Sequence, residues 1–168
     1  RDGFTIHSCQ LRPESRGTVI VTSDDPIEHP EIDPNYLANE GDRITMRESV
    51  KMMREIAGQS ALSPLRGAEA LPGADVQTDE QIDTFIRTYG ETIYHPVGTV
   101  AMGIQDEDPV DGELRVRGVD GLRVVDASVM PTLIGGNTNA PTIMVAEKAA
   151  DMILGKAPMV PEEVEVAA

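Results

Sequence analysis

Proline and glycine interrupt this chain before any regular element can grow long. Twelve prolines and 15 glycines are spread through its 168 residues. Proline removes a backbone donor and fixes φ, so it stops helices and is kept out of sheet interiors. Pro26, Pro30 and Pro34 exclude a long helix or a central strand over 23–39. That stretch reads as an irregular loop with a helical turn near Asn35–Leu37. Pro64, Pro72 and neighbouring glycines make 59–77 a loop, and 91–112 is mostly loop as well. The uninterrupted segments between these breaks suit short strands and three helices.

Residues 3–12 and 18–22 are rich in β-formers and flank Pro13-Glu14-Ser15-Arg16-Gly17, which predicts an antiparallel pair joined by a turn. Over 40–57, Met46, Val50, Met53 and Ala57 recur at helical spacing, with Gly58 where a C-terminal cap belongs. A second helix opens at Thr78-Asp79-Glu80-Gln81, which has capping-box spacing. It aligns Ile82, Phe85, Ile86 and Tyr89 and stops at Gly90. Residues 113–117 and 122–126 read as short strands around the turn Gly118-Val119-Asp120-Gly121. The last helix starts near Ala140 or Pro141, with Ile143, Ala146, Ala150 and Ile153 as its apolar stripe and Gly155 as its stop. Residues 156–168 read as a frayed tail.

Charge excludes some functions. The formal net charge is −15, against the clustered Lys and Arg that nucleic-acid phosphates or an anionic membrane surface require. Cys9 is the only cysteine, so an intrachain disulfide and a Cys-rich metal site are both excluded. The acidic run from Asp106 to Asp111 lacks the alternating ligands and distant Glu of a calcium loop, and no metal site is expected. No apolar run approaches the roughly 20 residues that span a bilayer. No secretory leader is visible at Arg1, and without an initiator Met the chain reads as a piece of something longer.

Two stretches carry residue types suited to chemistry. His95 stands in Tyr94-His95-Pro96-Val97-Gly98-Thr99; Pro96 stiffens the backbone before it, and Gly98 lets a flat ligand or another chain approach. A held imidazole suits a general base near neutral pH, although an isolated histidine is more often structural. His7 and His29 read as packing or surface residues. In Gly135-Gly136-Asn137-Thr138-Asn139-Ala140-Pro141-Thr142, two glycines precede a helix start, whose N–H groups and dipole favour negative charge. Capping by Asn137, Thr138 or Asn139 explains the same residues. Asp126 ends a strand, where a carboxylate usually satisfies backbone groups. No nucleophile elbow, P-loop or Gly-x-Gly-x-x-Gly fingerprint occurs.

Taken together, Tyr94 to Gly103, Val110-Asp111, Gly118 to Pro131, Gly136 to Met144 and Ala146 to Asp151 resemble, in order and spacing, the C-terminal signature of the glucose–methanol–choline (GMC) oxidoreductases. Arg12 to Gly17 and the stretch from Asp25-Pro26 to Leu37 are similar to the same family, in its choline-dehydrogenase-like alcohol dehydrogenase branch. The resemblance implies an α+β fold: an antiparallel sheet backed by helices over 1–108, a substrate-domain portion. A strand–turn–helix segment over 109–155 would then return to an FAD-binding domain, whose N-terminal part lies outside this sequence.

By the same resemblance His95 is the catalytic base, and Asn137, with Asn139 as the alternative, holds the alcohol oxygen. Tyr94, Asp126, Ala127, Asn137, Thr138, Asn139, Ala140 and Pro141 would line the FAD. The expected partners are a small alcohol, a quinone-type or other electron acceptor and the remaining FAD domain, with a homodimer of this piece as a further possibility. The piece alone would be inactive. Location would be cytoplasmic, with the periphery of the inner membrane as an alternative. Three alternatives stay open on function: a choline dehydrogenase specifically, a non-redox binding module, and a hydroxynitrile-lyase-like relative.

Overall fold

A computed structural model describes residues 3–160 and 162. In chain order it contains β1 (Thr18–Ile20), β2 (Glu31–Asp33), α1 (Glu40–Gly58), α2 (Asp79–Tyr89) and α3 (Asn139–Ile153), with short 3₁₀ turns at Ser60–Leu62 and Ala127–Val129. Its contacts group into two compact units, divided between His95 and Pro96.

In the first unit β1 pairs antiparallel with β2, in the register Thr18↔Asp33, Val19↔Ile32 and Ile20↔Glu31. The expected partner of β1 was 3–12, and this is corrected. Residues 3–12 form no strand, and β1 instead pairs across the proline-punctuated loop. Pro30 and Pro34 flank the three residues of β2 without entering the ladder, so proline bounds this strand rather than forbidding it. Gly17 makes the close approach possible, because a Cβ there would collide with the Asp33 carbonyl and Pro34. The helical turn expected near Asn35–Leu37 is instead a turn with two left-handed residues, Asn35 (φ 50) and Leu37 (φ 62).

Residues 8–15 are tied to α1 by hydrogen bonds rather than by a ladder. Ser8 Oγ meets Ser49 Oγ at 2.8 Å. Asp42, only 3% exposed, accepts from the N–H groups of Glu14 (3.0 Å) and Ser15 (2.8 Å), the Ser15 hydroxyl and Gln10 Nε2 (3.3 Å). Burial pushes the Asp42 pKa up, but these donors outweigh it and hold the carboxyl below its ordinary value.

The expected helices form. Asn39 caps α1 by accepting from Gly41 N–H at 2.7 Å, and α1 runs one residue past its expected end, with Gly58 inside it and Gln59 as its C-cap. The capping box at α2 is complete: Gln81 N–H reaches Thr78 Oγ1, and Thr78 N–H reaches Gln81 Oε1. Gly90 closes α2, and a Cβ there would clash with the Ile86 carbonyl. Val50, Ile82 and Ile86 form the buried core between the two helices, with Met46, Met53 and Phe85 packed around them. Across the rim, Arg47 grips Asp83 through Nε and Nη2 and reaches Asp79 through Nη1, while Lys51 joins Asp79 and Glu48. The hydrogen bond from Arg47 holds the Asp83 carboxyl below its usual range.

In the second unit Val110, Leu114, Val129, Val145 and Ala149 form the buried core, with Val100, Met102, Val116, Val124 and Val125 around them. The expected strands at 113–117 and 122–126 are reduced to a narrow hairpin. Val116 N–H bonds Leu122 O, Val124 N–H bonds Leu114 O, and Gly118 and Gly121 turn the chain with positive φ. The stripe expected on α3 is corrected. Val145 and Ala149 face the core, while Ile143, Ala146, Ala150 and Ile153 are exposed. Apolar residues surround most of α3, so periodicity could not choose between its faces. Gly155 (φ 66) ends α3 as expected: its N–H reaches Met152 O and that of Lys156 reaches Asp151 O. Of the expected tail, 156–160 is exposed coil, and 161 and 163–168 lie outside the described residues.

In the intact protein Asp42→Asn is expected to cost about 1–3 kcal/mol of stability, because it weakens a multiply donated buried acceptor. Asp42 contributes stability above its unfolded pKa of about 3.9, and this is lost as pH falls through its lowered folded value. Denaturant melts from pH 7 to pH 3 should therefore show the gap between wild type and variant closing in acid. A gap independent of pH would contradict this role.

Candidate functional site

The second unit builds its polar face from two strips of backbone. Asp126 caps the 3₁₀ turn Ala127–Val129 by accepting from Ser128 N–H at 2.7 Å. The carbonyls of that turn then receive the loop that follows His95 in sequence. Gly98 and Val100 N–H both end on Ser128 O, at 3.0 and 3.1 Å, and Met102 N–H on Val129 O at 2.9 Å. Val129 is fully buried beneath them, so the turn is fixed by the core below and by hydrogen bonds above. Gly98 sits at φ 88, and a Cβ there would only touch the Met130 carbonyl at 3.5 Å. Glycine is required at Gly98 for its backbone angle rather than for space.

Two carboxylates of the 106–111 run, Asp108 and Asp111, have structural partners. Asp108 accepts from Gln105 N–H and occupies the space a Cβ on Gly103 would fill. Asp111 accepts from Glu113 N–H (2.9 Å) and Arg115 N–H (3.0 Å) and pairs with the Arg115 guanidinium. The bond from Arg115 N–H is the largest influence lowering its pKa.

The 137–141 stretch opens α3. Thr138 is its N-cap, is buried, and accepts through its carbonyl from Thr142 N–H (3.0 Å) and Thr142 Oγ1 (2.7 Å). Asn137, Asn139 and Ala140 are exposed around it, and Pro141 is half-buried. The first turn of α3 carries no acidic side chain, unlike α1 with Glu40 and Asp42 or α2 with Asp79 and Glu80. The positive end of its dipole is therefore left without a carboxylate from its own first turn.

The sequence-derived site residues divide between the units. Tyr94 and His95 end the first, and Asp126, Ala127 and Asn137 to Pro141 belong to the second. Tyr94 adopts φ 62, is 81% exposed, and its N–H meets Thr92 Oγ1 at 3.1 Å. His95 is half-buried, whereas His7 and His29 are exposed. Asp42 was not singled out from the sequence. An acidic residue in a first helical turn was the available signal, but not the distant donors it gathers.

Residues 13–146 match the family model described as GMC oxidoreductase. This chain belongs to the GMC oxidoreductase family. Among curated relatives of this GMC chain, the oxygen-dependent choline dehydrogenase of Pseudomonas putida KT2440 is 52% identical over 157 residues, 94% of this chain and 28% of the relative. That of Escherichia coli O157:H7 is 51% identical over 92% of this chain and 27% of its own length. The chain thus spans little more than a quarter of these relatives. Among solved structures, pyridoxine 4-oxidase from Mesorbium loti superposes with a TM-score of 0.83 at 34% identity, covering 88% of this chain and 29% of that one. An FAD-dependent oxidoreductase from Chaetomium thermophilum gives 0.81 at 35% identity, over 86% and 25%. These matches bear out the α+β fold. No helix among the described residues is long and apolar enough to cross a membrane.

Gly98→Ala should destabilise the intact protein by about 1–2 kcal/mol, the cost of a non-glycine residue in left-handed space. Chemical denaturation measures it. A cost near zero would mean that the loop reorients freely.

Proposed function

We propose that this chain is the C-terminal, substrate-side part of an FAD-dependent dehydrogenase that oxidises an alcohol CH–OH group. The observation that carries the reading is the match of residues 13–146 to the GMC oxidoreductase model, and α3 is compatible with it: its start is flanked by exposed Asn137 and Asn139, with no acidic side chain in its first turn. Such an end suits an electron-rich cofactor edge, and the dipole contributes about 0.3–2 kcal/mol. Those residues fit FAD, with Tyr94, Asp126, Ala127 and Asn137 to Pro141 as its contacts. When bound, FAD supplies the two-electron acceptor for the hydride that leaves the alcohol carbon.

The remaining roles fall to side chains of this chain. His95 takes the hydroxyl proton on its imidazole as the C–H bond breaks. Asn137, with Asn139 as the alternative, donates a hydrogen bond to the alcohol oxygen, orienting it and stabilising its developing charge. On this reading 1–108 is substrate-domain sequence and 109–155 packs on the FAD-binding domain, while the contact division within the chain falls earlier, after His95. The exposed apolar residues Ile143, Met144, Ile153 and Leu154 of α3 and its C-terminal end support that packing. The enzyme would be cytoplasmic or peripheral to the inner membrane, and would pass electrons to a quinone-type or other acceptor. A second reading narrows the alcohol to choline, favoured by the names of the relatives near 52% identity.

In the full-length protein His95→Ala should retain flavin yet slow its single-turnover reduction by the alcohol about 10²–10⁴-fold. An unchanged rate at full flavin content refutes the base assignment. Asn137→Ala should also slow reduction and Asn139→Ala much less; stopped-flow absorbance decides between them, and the reverse order moves the role to Asn139.

A further inference from the structure

We draw no further inference here: the strongest candidate, the open groove of about 470 Å³ between α2 and the 71–76 loop, lined by Leu71, Pro72, Val76, Phe85 and Tyr89, carries nothing because nothing in the structure shows what covers it.

Discussion

Three backbone N–H groups, those of Gly98, Val100 and Met102, end on two carbonyls, Ser128 O and Val129 O. The arrangement of the second unit depends on this junction. It holds the loop after His95 to a turn that has no freedom of its own, since Val129 is buried beneath it and Asp126 caps its start. A loop without a regular ladder is thereby held in place. Val129 also shares its core with Val145 and Ala149, so α3 and the turn are positioned by the same packing.

The first unit solves a different problem. The chain has three tyrosines, two phenylalanines and no tryptophan. The core between α1 and α2 is correspondingly small, and aliphatic and methionine side chains build most of it. Charged groups complement it. Asp42 gathers the 10–15 segment, and Arg47 binds Asp83 in a two-pronged grip. Exposed ion pairs stabilise little, but a bidentate pair supported by neighbours fixes how two helices lie against each other. Asp42 differs in being buried: its negative charge is compatible with burial because several donors point at it.

The three helix starts differ in capping and charge. Asn39 and Thr78 close α1 and α2 with side-chain caps, and acidic residues follow in both first turns. The start of α3 has small and amide side chains instead, with no acidic residue in its first turn. The exposed apolar residues of α3 are hydrophobic surface that this chain leaves uncovered.

Local chemistry made several features legible in the residues alone. The capping box at Thr78–Gln81, the stops at Gly90 and Gly155 and the span of α1 depend on neighbours a few positions apart, and short-range hydrogen bonding decides them. The family was legible by resemblance rather than by local chemistry: the ordered motifs from Tyr94 to Asp151 are similar to those of the GMC oxidoreductases, whose model matches residues 13–146. Tertiary structure alone decided that β1 pairs with the strand between Pro30 and Pro34, that Asp42 collects donors from 10–15, and that α3 buries Val145 and Ala149 rather than Ile143 and Ile153. Each of those outcomes is a choice among nearly equivalent local options. Such a choice is settled by which distant surface the element meets, and sequence periodicity holds no information about that surface.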